Sequence, residues 1–285
     1  MMKLPDSIHR KPIGVWPVLL MVFCSIPLLL SACAVQPIEA PGPLVKSVGY
    51  TALADKYGLQ GGQELDAGEE SFSGDGLLKE PAVSSGKSFS YIKKVVIDPG
   101  HGGCFRGTRG SNDLLEKDIV LDIGLKLKGI LEARGIKVVM TRETDRQLSS
   151  NLNKDLDRRA AVANMERPDL FISIHANYCE DESVRGFEIY YSNHKPASNC
   201  KKQTIDLANE VKKSLDSLIK DRGVRAKDFR VIKKAECPAI LVEVEYLSNK
   251  SACQDLSKES YRLDIAKKLL DAILNFGRKA YCAGN

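Results

Sequence analysis

The sequence predicts an α/β fold: a layered domain with a mostly parallel sheet of about six strands flanked by helices. Two observations carry this. Strand-length and helix-length hydrophobic patterns alternate along residues 91–280, the order of strand–helix units around a parallel sheet. Several of the strand segments are apolar at consecutive positions, as strands covered on both faces are. The composition agrees. A chain of 285 residues that is 43% hydrophobic and 28% charged is globular, which excludes a disordered, collagen-like or multi-span membrane chain.

The elements follow in order. Lys94–Ile97 is a short β-branched run and predicts a buried strand. Glu116–Arg134 carries Ile119, Ile123, Leu127 and Ile130 at three- and four-residue spacing, which predicts a helix, and Gly135 stops it. Lys137–Thr141 is the second strand. Asp155–Met165 is helical, closed by Pro168. Leu170–His175 and Phe187–Tyr191 are the third and fourth strands. Lys201–Lys220 is amphipathic through Ile205, Ala208, Val211, Leu215 and Leu218. Phe229–Ile232 and Ala239–Val244 are predicted as the last strands. Tyr261–Ala280 is a closing helix.

The first ninety residues read differently. Lys3, Arg10 and Lys11 precede an uncharged apolar run from Ile13 to Leu30 and then small residues, the layout of a secretory signal peptide. Pro17 and Pro27 within the run count against a stable membrane-spanning helix. Residues 34–90 are rich in Gly, Pro, Ser and acids and predict a flexible tether, with a short helix over Tyr50–Leu59. Formal charge is +2 over 1–33, −4 over 34–90 and +7 over 91–285. A moderately basic domain after an acidic tether suits an anionic polymer. There is no nucleic-acid-binding motif, and the basic residues alternate with acids, so no nucleic-acid partner is expected. Beyond Cys24 and Cys33 there remain Cys104, Cys179, Cys200, Cys237, Cys253 and Cys282. An even number is compatible with disulfides in an oxidising compartment, in any of the pairings six cysteines allow.

Ligands of open α/β sheets bind beyond the carboxyl ends of the strands, so the residues that follow each strand matter most. Asp98-Pro99-Gly100-His101-Gly102-Gly103 follows the first strand, His175-Ala176-Asn177 ends the third, Glu243 lies near the end of the last, and Glu116 opens the first long helix. Two imidazoles and a carboxylate suit divalent zinc, whose catalytic sites keep three protein ligands and one open position. His101, Glu116 and His175 form that set. Glu243, a carboxylate inside an apolar strand, is the proton-transferring group such a centre needs. Glu245, two residues on, shares its face and competes for that role. Cys104 stands at metal-ligand spacing from His101, so a thiolate ligand competes there with the favoured reading of a disulfide or inert thiol. Asp98 either orients His101 or bonds its own turn. Asn177, Arg225 and Arg109 are candidate substrate-binding residues, and His194 is read as solvated.

Two resemblances sharpen this. Leu30-Ser31-Ala32-Cys33 resembles the lipobox of bacterial lipoproteins. It implies lipid on the Cys33 thiol, cleavage before it, and a domain order of signal peptide (1–32), lipid-anchored tether (33–90) and catalytic domain (91–285). Because Ala34 is not Asp, the implied location is the periplasmic face of an outer membrane where the cell has one, and otherwise the outer face of the cytoplasmic membrane. Val96–Gly103, Glu116-Lys117-Asp118, Thr141–Asp145, Arg159-Ala160, Ala163-Asn164, Phe171–Asn177, Pro238–Glu243 and Leu247-Ser248-Asn249 together resemble, in order, the motifs of the zinc-dependent N-acetylmuramoyl-L-alanine amidases of the amidase-3 type. The resemblance implies zinc on His101, Glu116 and His175, Glu243 as the catalytic carboxylate, and peptidoglycan as substrate. The bond cut is the amide between N-acetylmuramic acid and L-alanine. Relatives that regulate themselves carry an inserted blocking helix; no long insertion lies between Asn177 and Glu243, so an open groove is expected. A non-catalytic peptidoglycan-binding lipoprotein and a zinc peptidase cutting stem peptides are the competing readings.

Overall fold

The computed structural model describes residues 91–194 and 198–282. The expectations for residues 1–90, lipidation of Cys33 among them, fall outside these residues, as does the side chain of Cys282. The elements run β1 (Lys94–Pro99), α1 (Glu116–Glu132), β2 (Lys137–Met140), α2 (Leu152–Glu166), β3 (Leu170–Asn177) and β4 (Phe187–Tyr191). They continue with α3 (Ser198–Leu215), β5 (Asp221–Ala226), α4 (Arg230–Lys234), β6 (Ala239–Tyr246), α5 (Lys250–Ser257) and α6 (Glu259–Cys282). One six-stranded sheet has the order β2-β1-β3-β6-β4-β5. Every neighbouring pair is parallel except β4 with β6, which is antiparallel. The α/β, mostly parallel sheet expected from the sequence is the one observed.

Strand alternation sorts the core into two layers. Val95, Ile97, Ile172, Ile174, Ile189, Ile240, Val242 and Val244 pack with apolar residues of α1, α3, α5 and α6. Val96, Phe171, Tyr190, Ala239 and Leu241 pack with Ala163 of α2 and with Val231 and Ile232 of α4. This second face has the lighter cover. Along it, toward the carboxyl ends of the parallel strands, the apolar residues give way to Asp98, Ser173, His175 and Glu243. The antiparallel β4 adds Glu188, directly across from Glu243. Registers confirm the row: Asp98 pairs with Ser173 and His175 with Glu243. The two helices between Asn177 and Glu243 lie against the body of the domain, α3 in the larger core and α4 in the smaller.

Helix ends obey local chemistry. Gly135, at φ 74°, closes α1, with its N–H on the Glu132 carbonyl and the Ile136 N–H on the Leu131 carbonyl, a Schellman arrangement. Asn151 caps α2 by accepting from the Lys154 N–H at 3.0 Å. Two expectations are corrected. Phe229–Ile232 is not a strand: Phe229 precedes α4, in which Val231 and Ile232 are buried, and Ala235 is buried just past its end, a three-to-four residue rhythm. On the outer side of α4, Arg230 and Lys234 both reach Asp157. The strand of this region is instead β5, whose Asp-Arg-Gly-Val-Arg-Ala composition hides it because an edge strand tolerates charge and Gly. Helix α5, not anticipated, is capped by Asn249, which accepts from the Ala252 N–H at 2.9 Å.

Beneath the end of β1 lies a buried polar frame. Asp98 accepts from Thr141 Oγ1 (2.6 Å), Ser173 Oγ (2.7 Å) and Arg159 Nη1 (2.9 Å). Arg159 also bonds Asp155 at 2.6 Å and the carbonyls of Pro99 and His101 at 2.8 and 2.5 Å. Arg142 bonds the carbonyls of Pro99 (2.9 Å), Gly100 (2.7 Å) and Lys117 (2.7 Å), tying the turn to the start of α1. Asp98 thus neither touches the His101 ring nor folds onto its own turn; it acts through Arg159. Burial raises its carboxyl pKa, but Arg159 and the two hydroxyls outweigh this and hold it below the ordinary value. Replacing Arg159 with Met strands two buried carboxylates, and we expect a loss of about 3–5 kcal/mol in urea unfolding at neutral pH. Because the native carboxyl pKa is depressed, this contribution is full above the ordinary carboxylate range and shrinks on acidification. A loss below about 1 kcal/mol at neutral pH would contradict the frame.

Candidate metal centre

The strand order changes direction between β1 and β3, the two strands whose ends carry the histidines, and such a switch point opens a crevice. His101 sits just past β1 at φ 61°, a left-handed conformation that costs a non-Gly residue energy and persists where its surroundings impose it. The Arg159 bond to its carbonyl does so. His175 ends the apolar run of β3. Glu116 is the first residue of α1, and its carboxylate turns toward both rings. Its Oε1 lies 3.0 Å from His101 Nε2 and 3.0 Å from His175 Nδ1. The two imidazoles meet edge to face at 4.9 Å between centroids. One donor atom from each of the three residues lies within 4.8 Å of the others. Backbone groups fix the carboxylate, Ala176 N–H on Oε1 at 3.0 Å and Thr108 N–H on Oε2 at 2.8 Å. Burial raises the Glu116 pKa, but hydrogen bonds from the two histidines win and hold it well below the ordinary range.

Two glycines make the approach possible. A Cβ on Gly100 would stand 2.2 Å from His175 Cε1, and one on Gly107 would stand 2.4 Å from Glu116 Oε2. Gly100→Ala therefore displaces the His175 ring. We expect a thermal-melt loss of about 1–3 kcal/mol together with weaker zinc binding in calorimetry; unchanged zinc affinity would show the ring free to move aside.

Glu243 faces this group from β6, its backbone in register with His175. Its Oε2 is shielded from solvent and has no hydrogen-bond partner. Burial first, then the like charges of Glu116 and Glu188, push its carboxyl well above the ordinary range, against a smaller opposing effect of Lys227. Glu245 behaves otherwise. It is fully buried, salt-bridged to Arg185 at 2.8 Å, and accepts from the Gly186 N–H at 2.7 Å. Its carboxylate is saturated by structural donors.

The remaining sequence-predicted residues stand outside the donor group. Asn177 donates to Glu188 Oε2 at 3.1 Å and accepts from the Tyr178 N–H at 2.8 Å, closing its own turn. Arg225 pairs with Glu188. Arg109 is exposed and pairs with Asp113 at 2.6 Å, four residues along its own loop. Cys104 is an exposed thiol outside the three-residue donor group. His194 is exposed and pairs with Asp228 at 2.6 Å. Cys104, Cys179, Cys200 and Cys253 carry free thiols. Sequence reasoning missed Glu188, although the signal that marked Glu243, an acid within an apolar strand, marks it too. It also gave no role to Arg142 and Arg159, whose task depends on which carbonyls they meet.

The donor set matches zinc chemistry: two imidazole nitrogens and one carboxylate oxygen converge, one donor fewer than a tetrahedral ion takes. Residues 95–275 match the family model described as N-acetylmuramoyl-L-alanine amidase, Amidase_3. The chain is 33% identical over 201 residues to N-acetylmuramoyl-L-alanine amidase LytC of Bacillus subtilis, a match covering 70% of this chain and 37% of that protein. The crystal structure of N-acetylmuramoyl-L-alanine amidase from Clostridium difficile 630 superimposes with a TM-score of 0.59 at 32% identity, covering 66% of this chain and 97% of that one. The CwlD amidase from Clostridioides difficile, solved in complex with the GerS lipoprotein, gives 0.56 at 28% identity over 68% of this chain and 100% of that one. With its fold, its motifs and nearly two hundred aligned residues in agreement, the chain belongs to the N-acetylmuramoyl-L-alanine amidase family of enzymes.

Proposed function

We propose that this chain hydrolyses the amide between N-acetylmuramic acid and L-alanine in peptidoglycan, with Zn2+ held by His101, Glu116 and His175 and with Glu243 as the catalytic carboxylate. The observation that carries the reading is the convergence of three donors, distant in sequence, within 4.8 Å beside a carboxylate oxygen that has no partner of its own. A zinc ion in that set supplies Lewis acidity, polarising a carbonyl and lowering the pKa of water. Glu243 takes one proton from the attacking water and returns it to the departing alanine nitrogen, so the C–N bond breaks as a C–O bond forms and the side chain ends as it began. Arg159 and Arg142 hold the turn that carries His101, and the backbone N–H groups of Ala176 and Thr108 hold Glu116, so the donors are placed before substrate arrives.

The N-terminal reading completes the proposal. Lipid on Cys33 anchors the chain, residues 33–90 let the domain reach the wall, and the site of action is the periplasmic face of an outer membrane or, in a cell without one, the outer face of the cytoplasmic membrane. Among the described residues no helix is long and apolar enough to cross a membrane. Mass spectra of purified sacculi digested by the whole chain test the activity. Intact stem peptides released from glycan are the expected product. Shortened peptides would indicate a peptidase, and no release would indicate a binding module.

A further inference from the structure

Beyond Glu243 the sheet continues through β4 to its edge strand β5, and the Asp221–Ala226 strand with Lys227 brings three cations to that side. Glu188 of β4, opposite Glu243, is the carboxylate the two arginines share. It pairs with Arg225, and Arg222 Nε lies 3.7 Å from the same oxygen. Glu188 also accepts from Tyr190 Oη at 2.5 Å and Asn177 Nδ2 at 3.1 Å, so it is occupied as a scaffold. Arg222 stacks over the Tyr246 ring at 5.4 Å, yet its Nε is a buried donor with no hydrogen-bond partner. The Lys227 ammonium sits over the rings of Tyr190 and Phe229 at 5.4 and 4.5 Å, and no carboxylate of the described residues pairs with it. The Arg225 side chain is 48% exposed, leaving N–H groups for a ligand. Glu188 thus serves both arginines while Lys227 has no ion pair of its own, and a buried donor without a hydrogen-bond partner is costly unless something fills it.

We propose that Arg222 and Arg225, braced by Glu188, form with Lys227 a subsite for a free carboxylate on the peptide portion of the substrate, carried by the residue next to the alanine whose amide is cut. The inference rests on the amide-hydrolysis reading above for the direction of the substrate. The sheet order sets that direction: the donor group lies at the ends of β1 and β3, Glu243 follows on β6, and the cations lie two strands farther, about 10 Å on. The carbonyl half of the scissile bond belongs at the donor group, and the leaving amine at Glu243. The peptide then runs toward β5, and one extended residue of about 3.5 Å plus its side chain brings a carboxylate within reach of the arginines. An ordinary surface ion pair explains Arg225 with Glu188, but not a buried Arg222 Nε left without a hydrogen bond or a third cation held on two aromatic rings.

The test compares N-acetylmuramoyl-L-alanyl-D-glutamic acid with its D-isoglutamine amide, as substrates of the Zn2+-supplied whole chain. It also compares the two corresponding dipeptides as ligands in calorimetry. We expect kcat/KM and affinity to favour the free carboxylate by about tenfold or more, and the ratio to fall toward one in an Arg225→Gln/Lys227→Gln variant. Lys227→Gln alone, at an exposed position with no ion pair to strand, serves if the double variant does not fold, and should lower the ratio by about threefold or more. Hydrolysis of both substrates with equal efficiency, or a preference that survives the substitutions, overturns the subsite and leaves the hydrolytic reading standing. A carboxylate preference in binding without any hydrolysis keeps the subsite and overturns the hydrolytic reading.

Discussion

Glu243→Gln is expected to lower the rate of amide hydrolysis by about 10²–10⁴-fold while the protein melts at the same or a higher temperature. The two effects have one cause. The carboxylate lies in a low-dielectric position with Oε2 unpartnered and with Glu116 and Glu188 repelling its charge. Ionised, it costs the fold stability; as the neutral amide it costs less, at almost unchanged volume. The amide has no site for a proton, so the transfer from water to the leaving nitrogen is lost. Release of amines from sacculi and a thermal melt measure both. A variant that keeps most of its rate would move the catalytic role elsewhere, and one that loses stability would show Glu243 to be a structural residue. Glu245→Gln gives the contrasting pattern by the same reasoning, because its two oxygens are already engaged by Arg185 and the Gly186 N–H.

Removal of divalent metal should abolish hydrolysis, and Zn2+ should restore it. Metal chemistry is concerted across the donor set, so His175→Ala should fall to the level of the chelated protein. The structural consequence is independent of turnover. An ion that binds the native state alone stabilises it by about 2.7 kcal/mol at a hundredfold excess over its Kd, so the melting temperature of the whole chain should rise with added Zn2+. In His175→Ala the rise should be absent, because one of the three convergent donors is gone. Measured zinc content near one per chain for the parent and near zero for the variant completes the check. Full activity after exhaustive chelation would remove the metal from the mechanism, and a thermal rise that survives in His175→Ala would place the ion on other residues.

How much of this was legible before the fold was known varies by residue. Strand runs such as Leu170–His175 and helices such as α1 were plain because their apolar positions follow a period of two, of none, or of three to four, and each period has a direct geometric cause. The edge strand β5 and the short α4 were not. Val231 and Ile232 have high strand propensity, and only burial against α2 makes them helical; Arg222, Gly223 and Arg225 have little, and only pairing with β4 makes them a strand.

The sequence by itself determined the α/β class and the amidase-family motifs, and pointed to His101, Glu116, His175 and Glu243 as candidate site residues, because these depend on residue type and on position at strand ends. Only the tertiary structure decided what each neighbouring polar group does. Glu243 and Glu245 are two residues apart on one strand, yet one has an oxygen without a partner and the other is held by Arg185. Asp98 reaches the turn that carries His101 through Arg159 rather than directly. Asn177 and Arg225 converge on Glu188, while Arg109 turns to its own loop. The physical reason is that a carboxylate or guanidinium takes its role from the charges and donors within a few ångströms of it. Those neighbours come from strands and helices far apart along the chain.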